Sequence, residues 1–227
     1  MQKFLIFTIA MLFAACGMTQ NSQFTKPEDS DPAATAILEK VRQKYEAYKT
    51  LEVNFSLDLE IPERPKETQK GRMIQQGEKY RLELASQTVV SDGVTIWFYL
   101  KNNEEVQINC VEEDEDEGVM SPKDLFRIYK SKSFVYTLIN EYSEKGKLVQ
   151  QIDFKPLDKD SEYSKMQLTL EKKSATILRI KAFSKDGSRY TLFMGKLIPN
   201  KEVPASTFSF EKSECPDCHY EDLRIDC

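Results

Sequence analysis

The chain has 227 residues, 40% of them hydrophobic and 30% charged, which is enough to bury one sizeable core and predicts a soluble mature domain. Thirty-seven acidic against 32 basic residues give a net charge of −5; the basic ones are scattered, so the clustered cationic surface that nucleic-acid binding demands is excluded. One histidine rules out His-based catalytic triads and multi-His metal sites.

The N-terminus, MQKFLIFTIAMLFAAC, has one lysine, about a dozen apolar residues and then small ones, the pattern of a secretory signal over residues 1–16. It is too short to span a bilayer, which takes about 20 apolar residues. Phe13-Ala14-Ala15-Cys16 is similar to a lipobox, which makes Cys16 a lipidation candidate; Ala15 followed by Cys16-Gly17 also suits ordinary cleavage, and both readings stand. Residues 17–32 are polar, contain two prolines and have no periodicity: a flexible leader. Export implies an oxidising compartment. Without Cys16, four cysteines (Cys110, Cys215, Cys218 and Cys227) are available for pairing.

The folded domain is expected over residues 33–227. Ile37, Leu38, Val41, Tyr45 and Tyr48 recur at spacings of three and four behind an Asp31-Pro32 start signal, an amphipathic helix. Almost everything that follows has period two: 54–61, 79–84, the two arms of 89–100, 105–110, 148–154, 166–170, 177–183, 189–197 and 206–211. Short spacers make the sheet antiparallel, with about ten or eleven strands. After the acidic run Glu112–Glu117, Ser121-Pro122 opens a short helix whose patch Leu125, Phe126, Ile128 and Tyr129 suits a lid. The expected architecture is mainly β with helices (α+β): an unclosed antiparallel half-barrel with a concave apolar face, an N-terminal helix and a short lid helix.

No catalytic constellation, phosphate-binding glycine loop, metal site or cofactor motif is expected, and the chain is not read as an enzyme. Ser91-Asp92 belongs to a hairpin turn, and EEDEDE lacks the spacing of a calcium loop. Cys215-Pro216-Asp217-Cys218-His219 spells the attachment motif of c-type haem. Its charged, strand-like flanks favour instead a Cys215–Cys218 disulfide before a last edge strand, with free thiols or a metal as the remaining readings. One stretch stands apart. Val94, Ile96, Trp97, Phe98, Tyr99 and Leu100 are apolar on both sides of one strand, which requires cover on both.

Ser91-Asp92-Gly93-Val94-Thr95-Ile96-Trp97-Phe98-Tyr99 closely resembles the S-D-G-x-T-[LI]-W-F-Y segment of the periplasmic outer-membrane lipoprotein carrier family, LolA. The likeness runs over roughly residues 35–212, through the Tyr80-Arg81-Leu82 strand, a Lys185-Asp186-Gly187 turn and a closing Ser206–Phe210 strand. It implies a lidded, unclosed barrel that holds lipoprotein acyl chains. The partners it implies are acylated lipoproteins, an inner-membrane lipoprotein-releasing transporter and an outer-membrane acceptor, with the chain a monomer. An anchored acceptor resembling LolB is the alternative if Cys16 is acylated. Alternation places Tyr80, Leu82, Leu84 and Val89 inward, and the cavity set is completed by Phe98, Leu125, Phe126 and Tyr129. Where some members have a lid-holding arginine, this sequence has Gln75 or Gln76.

Overall fold

A computed structural model describes residues 26–111 and 133–225. Among these residues one α-helix, α1 (Pro32–Glu46), precedes twelve strands: β1 (Leu51–Glu60), β2 (Glu67–Gln76), β3 (Lys79–Leu84), β4 (Gln87–Ser91), β5 (Thr95–Leu100), β6 (Glu105–Cys110), β7 (Phe134–Glu144), β8 (Lys147–Pro156), β9 (Tyr163–Glu171), β10 (Thr176–Ser184), β11 (Arg189–Pro199) and β12 (His219–Asp222). They form one sheet in the order β12-β6-β5-β4-β3-β2-β1-β11-β10-β9-β8-β7. Two antiparallel meanders, β1–β6 and β7–β11, meet where β1 pairs with β11. The edge strands β7 and β12 lie at opposite ends of this order and do not pair, so the sheet is unclosed.

The helix begins where the sequence marks it. Asp31 caps α1, one carboxylate oxygen accepting from the Ala33 amide at 2.9 Å, with Pro32 in the first turn. The same side chain reaches the edge of the sheet: its other oxygen accepts from the Leu138 amide at 3.1 Å, and the Ser30 hydroxyl accepts from the Tyr136 amide at 3.2 Å. The Asp31 amide donates to the Tyr136 carbonyl at 2.9 Å. Backbone groups that β7 would otherwise offer to another chain are thereby occupied. At the far end the Tyr45 hydroxyl accepts from the Ile177 amide at 3.0 Å, and Lys44 donates to the Ser174 carbonyl at 2.9 Å. The helix therefore lies across the concave face from β7 to the start of β10, burying Ala34, Leu38, Val41 and Tyr45 in the main core.

Glycine is required twice in the β1 neighbourhood. A Cβ on Gly71 would lie 2.4 Å from the Phe55 ring, which occupies the space over β2, and one on Gly195 would lie 2.6 Å from the Asn54 carbonyl oxygen. Gly195 lies in a bulge of β11, where it and Lys196 stand opposite Asn54 alone between the Val53–Leu197 and Phe55–Met194 pairs.

The strand reading missed β2 and β7. The inward positions of β2 include Gly71 and Gln75, which break its alternation, and β7 shifts register between Leu138 and Asn140. The expected strand at 206–211 is instead a 3₁₀ turn, Ala205–Phe208, with Phe208 and Phe210 buried. The last strand, β12, pairs with β6 in parallel, because the chain crosses the sheet before joining its edge. The acidic run, the lid helix with Leu125, Phe126, Ile128 and Tyr129, and Cys16 lie outside the described residues.

The crossing segment, residues 199–223, is tied to the outer face by a chain of ion pairs. Glu52, 7% exposed, accepts from Lys201 at 2.7 Å and Arg72 at 2.9 Å. Arg72 also lies 3.6 Å from Glu83, Glu83 accepts from Arg81 at 2.9 Å, and Arg81 pairs with Glu214 at 2.5 Å. Lys201 and Glu214 belong to the crossing segment, so the chain of charges leaves it and returns to it. Hydrogen bonds from Arg72 and then Lys201 hold the Glu52 carboxyl below the ordinary glutamate range. A carboxyl whose pKa is depressed by folding adds stability above its unfolded pKa and loses it as pH falls through the folded one. Glu52→Gln is expected to cost about 1–2 kcal/mol at neutral pH, between exposed and buried pairs. Denaturant melts at stepped pH check it: the difference from wild type should shrink once the medium is acid enough to protonate Glu52.

Candidate functional site

The concave face is built from ranks of side chains that run across neighbouring strands. One rank passes Val53, Met73, Leu82, Val89 and Phe98 and ends at Gln107 on β6. A second passes Gln75, Tyr80, Ser91 and Ile96 to Asn109. A third holds Phe55, Gly71 and Leu84, and beyond them Gln87 and Leu100 lead to Glu105. Period-two geometry dictates this: on β3 Tyr80, Leu82 and Leu84 turn inward while Arg81 and Glu83 carry outward charge.

Burial falls along the ranks. Leu82 is 1% exposed, Val89 4%, Tyr80 5% and Leu84 8%, all within the same apolar cluster that α1 joins. Ile96 and Phe98 pack against that cluster but are only half-buried. The structure therefore brings Tyr80, Leu82, Leu84, Val89 and Phe98 onto one face, with the first four packed deep and Phe98 towards the open wing. Sequence reasoning missed Phe55, Met73 and Ile96, which share that face; alternation in β1 and β5 carried the signal for Phe55 and Ile96, whereas Met73 sits in the strand whose pattern Gly71 and Gln75 interrupt. Gln75 is on the concave face, its amide donating to the Gly77 carbonyl at 3.1 Å, whereas Gln76 is exposed. Among the described residues no three His, Cys, Asp or Glu come together in a metal-binding arrangement.

The outer side of β5 has its own cover. Trp97, Tyr99 and Ile108 pack against a second apolar cluster made of Val90, Val106, Phe210 and Cys218, with Cys215 and Tyr220 alongside. Phe210 meets Tyr99 with ring centroids 5.4 Å apart. The strand is apolar on both sides because the main core takes Ile96 and Phe98, and the crossing segment takes Trp97 and Tyr99.

Cys215 and Cys218 are joined in a disulfide, Cα atoms 5.4 Å apart. The Tyr220 hydroxyl donates to the Cys215 carbonyl at 3.0 Å, and the His219 amide to the Glu104 carbonyl at 2.9 Å. His219 starts β12 with its side chain exposed, so it does not line an apolar slot. The bridge closes the turn that delivers β12 to β6. Cys110 is disulfide-bonded as well. The Asp92-Gly93 turn is held by Asp92, whose carboxylate accepts from the Val94 and Thr95 amides at 2.9 and 2.7 Å, while Gly93 takes φ 95°.

The family model of the outer membrane lipoprotein carrier protein LolA matches residues 46–211, the larger part of the chain. The chain belongs to the LolA family. Helix α1 all but precedes the matched region, and the disulfide and β12 lie beyond it. An uncharacterized conserved protein from Thermus thermophilus has a similar fold, with a TM-score of 0.56 and 13% identity over 85% of this chain and 99% of that one. A LolA superfamily protein from Nitrosomonas europaea matches with a TM-score of 0.43 and 13% identity over 78% and 97% of the two chains. The Mycobacterium tuberculosis lipoprotein LppX gives 0.43 and 12% over 78% and 100%. At 13% identity the likeness to the Thermus protein is one of fold alone. No curated protein matches the chain.

Removing the bridge with Cys215→Ala and Cys218→Ala together is expected to cost about 2 kcal/mol, the loop-closure value for so short a ring. Trp97, the single tryptophan, lies beneath the crossing segment, so its emission should shift red in the variant before the global unfolding transition.

Proposed function

We propose that this chain binds the acyl chains of lipid-modified ligands, acylated lipoproteins foremost, on its concave face and carries them across the cell envelope. The observation that carries this reading is the continuous apolar rank Met73–Leu82–Val89–Phe98, deep in the core at one end and half-exposed on the wing, in a member of the LolA family. An acyl chain laid on Phe98 and Ile96 extends an apolar surface that already exists, and each methylene removed from water contributes about 0.8 kcal/mol. The signal-like residues 1–16 support export to the periplasm. A lipoprotein-releasing transporter of the inner membrane would supply the cargo, and an acceptor at the outer membrane would take it. The protein would act as a monomer and without catalysis.

A second reading rests on Cys16: acylated there, the chain would be a membrane-anchored acceptor similar to LolB, or another anchored lipid-binding protein. The mass of the mature N-terminus separates the two readings.

Titration with acylated peptides of increasing chain length tests the binding itself. Affinity should rise about fourfold per added methylene until the site is filled. Flat affinity, or no binding, would sink the proposal. Phe98→Glu should abolish uptake and leave the circular dichroism spectrum intact, because Phe98 is half-buried and a carboxylate there stays wet until a ligand arrives. Leu82→Glu, at a position 1% exposed, should unfold the protein instead.

A further inference from the structure

Among the five cysteines, Cys215 and Cys218 are joined to each other, and Cys110 is disulfide-bonded as well, so its partner is Cys16 or Cys227. The fold separates these two. Ser30 and Asp31 fix the start of helix α1 on β7, which stands at the end of the strand order opposite to β6 and β12. Cys16 precedes that anchor in the chain.

Cys227 follows a segment that runs towards Cys110. Period two turns Cys110, the last residue of β6, outward with Val106 and Ile108, onto the side where the crossing segment returns. β12 is parallel to β6, from His219 opposite Glu105 to Asp222 opposite Ile108, so the chain beyond β12 continues in the direction of Cys110. The Leu223 amide donates to the Ile108 carbonyl at 2.8 Å, and the Cys110 Sγ lies 3.6 Å from the Ile225 carbonyl oxygen. Cys227 is two residues farther on. Two residues span up to about 7 Å, enough to bring its Cα to the roughly 5.5 Å separation that a bridge requires.

We infer that Cys110 is bridged to Cys227 and that this bridge is the latch of β12. The strand has four residues, three of them exposed, and pairs with β6 alone. So short a parallel edge strand has little of its own to hold it. The Cys215–Cys218 turn leads into it, and the second bridge closes its far end over β6. Held there, Tyr220 stays packed in the apolar cluster that covers the outer side of β5. The bridge forms by thiol–disulfide exchange: two thiols of the chain reduce a small-molecule or protein disulfide to two thiols, and the chain gains the S–S bond. Such oxidants act outside the cytosol, so the latch closes where the signal-like residues 1–16 would take the chain.

Peptide mapping of the full chain, exported into an oxidising compartment and purified without reductant, tests the pairing. Free thiols are alkylated, the protein is cut with trypsin without reduction, and the peptides are weighed. Residues 225–227 should appear linked to residues 102–123, and residues 213–224 should carry an internal bridge. Linkage of Cys110 to Cys16 or to a second copy of the chain, or alkylated Cys110 and Cys227, would overturn the inference. Amide hydrogen exchange tests the latch, with Cys110→Ser plus Cys227→Ser, and Cys227→Ser alone as the variant that leaves β6 intact. The His219 and Leu223 amides, which donate to the Glu104 and Ile108 carbonyls, should exchange about tenfold faster than in wild type, while those of β3 and β4 keep their rates. Unchanged protection of His219 and Leu223 in both variants would overturn the latch. Neither result depends on whether an acyl chain binds the concave face.

Discussion

A curved sheet that does not close must have two faces and two edges covered by something other than itself, and the rest of this structure follows from that requirement. Closure in a barrel removes edges and gives the inner face its own filling. Here the helix fills one half of the concave face, and its capping residues Ser30 and Asp31 occupy backbone groups of edge strand β7. At the other end β12 pairs with β6, and the segment that brings it there covers the outer side of β4 to β6. The inner side of that same wing holds half-buried aromatic and aliphatic groups beside a polar margin, the place where the proposed ligand completes the cover.

Residues 199–223 change what each neighbouring strand is free to be. With its outer side under Phe210 and the Cys215–Cys218 turn, β5 carries Trp97 and Tyr99 outward without exposing a large apolar surface. β6 places Val106 and Ile108 outward for the same reason, which leaves its inner side to carry Glu105, Gln107 and Asn109. Ion pairs spread along Glu52, Arg72, Glu83, Arg81 and Glu214 anchor the segment where it crosses β1 to β3, and apolar packing anchors it farther on. The disulfide contributes locally, by shaping the turn from which β12 departs.

Much of this was legible in the residues. The spacing of Leu38, Val41 and Tyr45 marked the helix, and the alternation of Tyr80, Leu82 and Leu84 marked the inward face, because a single side of each is buried. Asp92-Gly93 marked its turn because the required backbone geometry has few suitable residues. Strands β2 and β7 escaped because glycine, glutamine and a register shift interrupt the pattern where neighbours demand it. The two-sided strand 95–100 announced a second cover without identifying it. Its partner, Phe210 and the cysteine turn, is more than 100 residues away, and nothing local to either segment encodes the pairing. For the same reason the apolar side of 105–110 showed no sign that it faces outward: alternation defines two faces, and only the tertiary neighbours decide which is the inner one.

The central claim is that an acyl chain occupies the concave wing of β3 to β5. Photolysis of the protein with a fatty acid carrying a terminal diazirine, followed by peptide mass spectrometry, tests it most directly. Adducts should concentrate on residues 80–100, at inward positions such as Val89, Ile96 and Phe98, and should fall when an acylated peptide competes. Adducts confined to the crossing segment 199–223 or to the outward residues of β8 to β11, unaffected by competitor, would contradict the account.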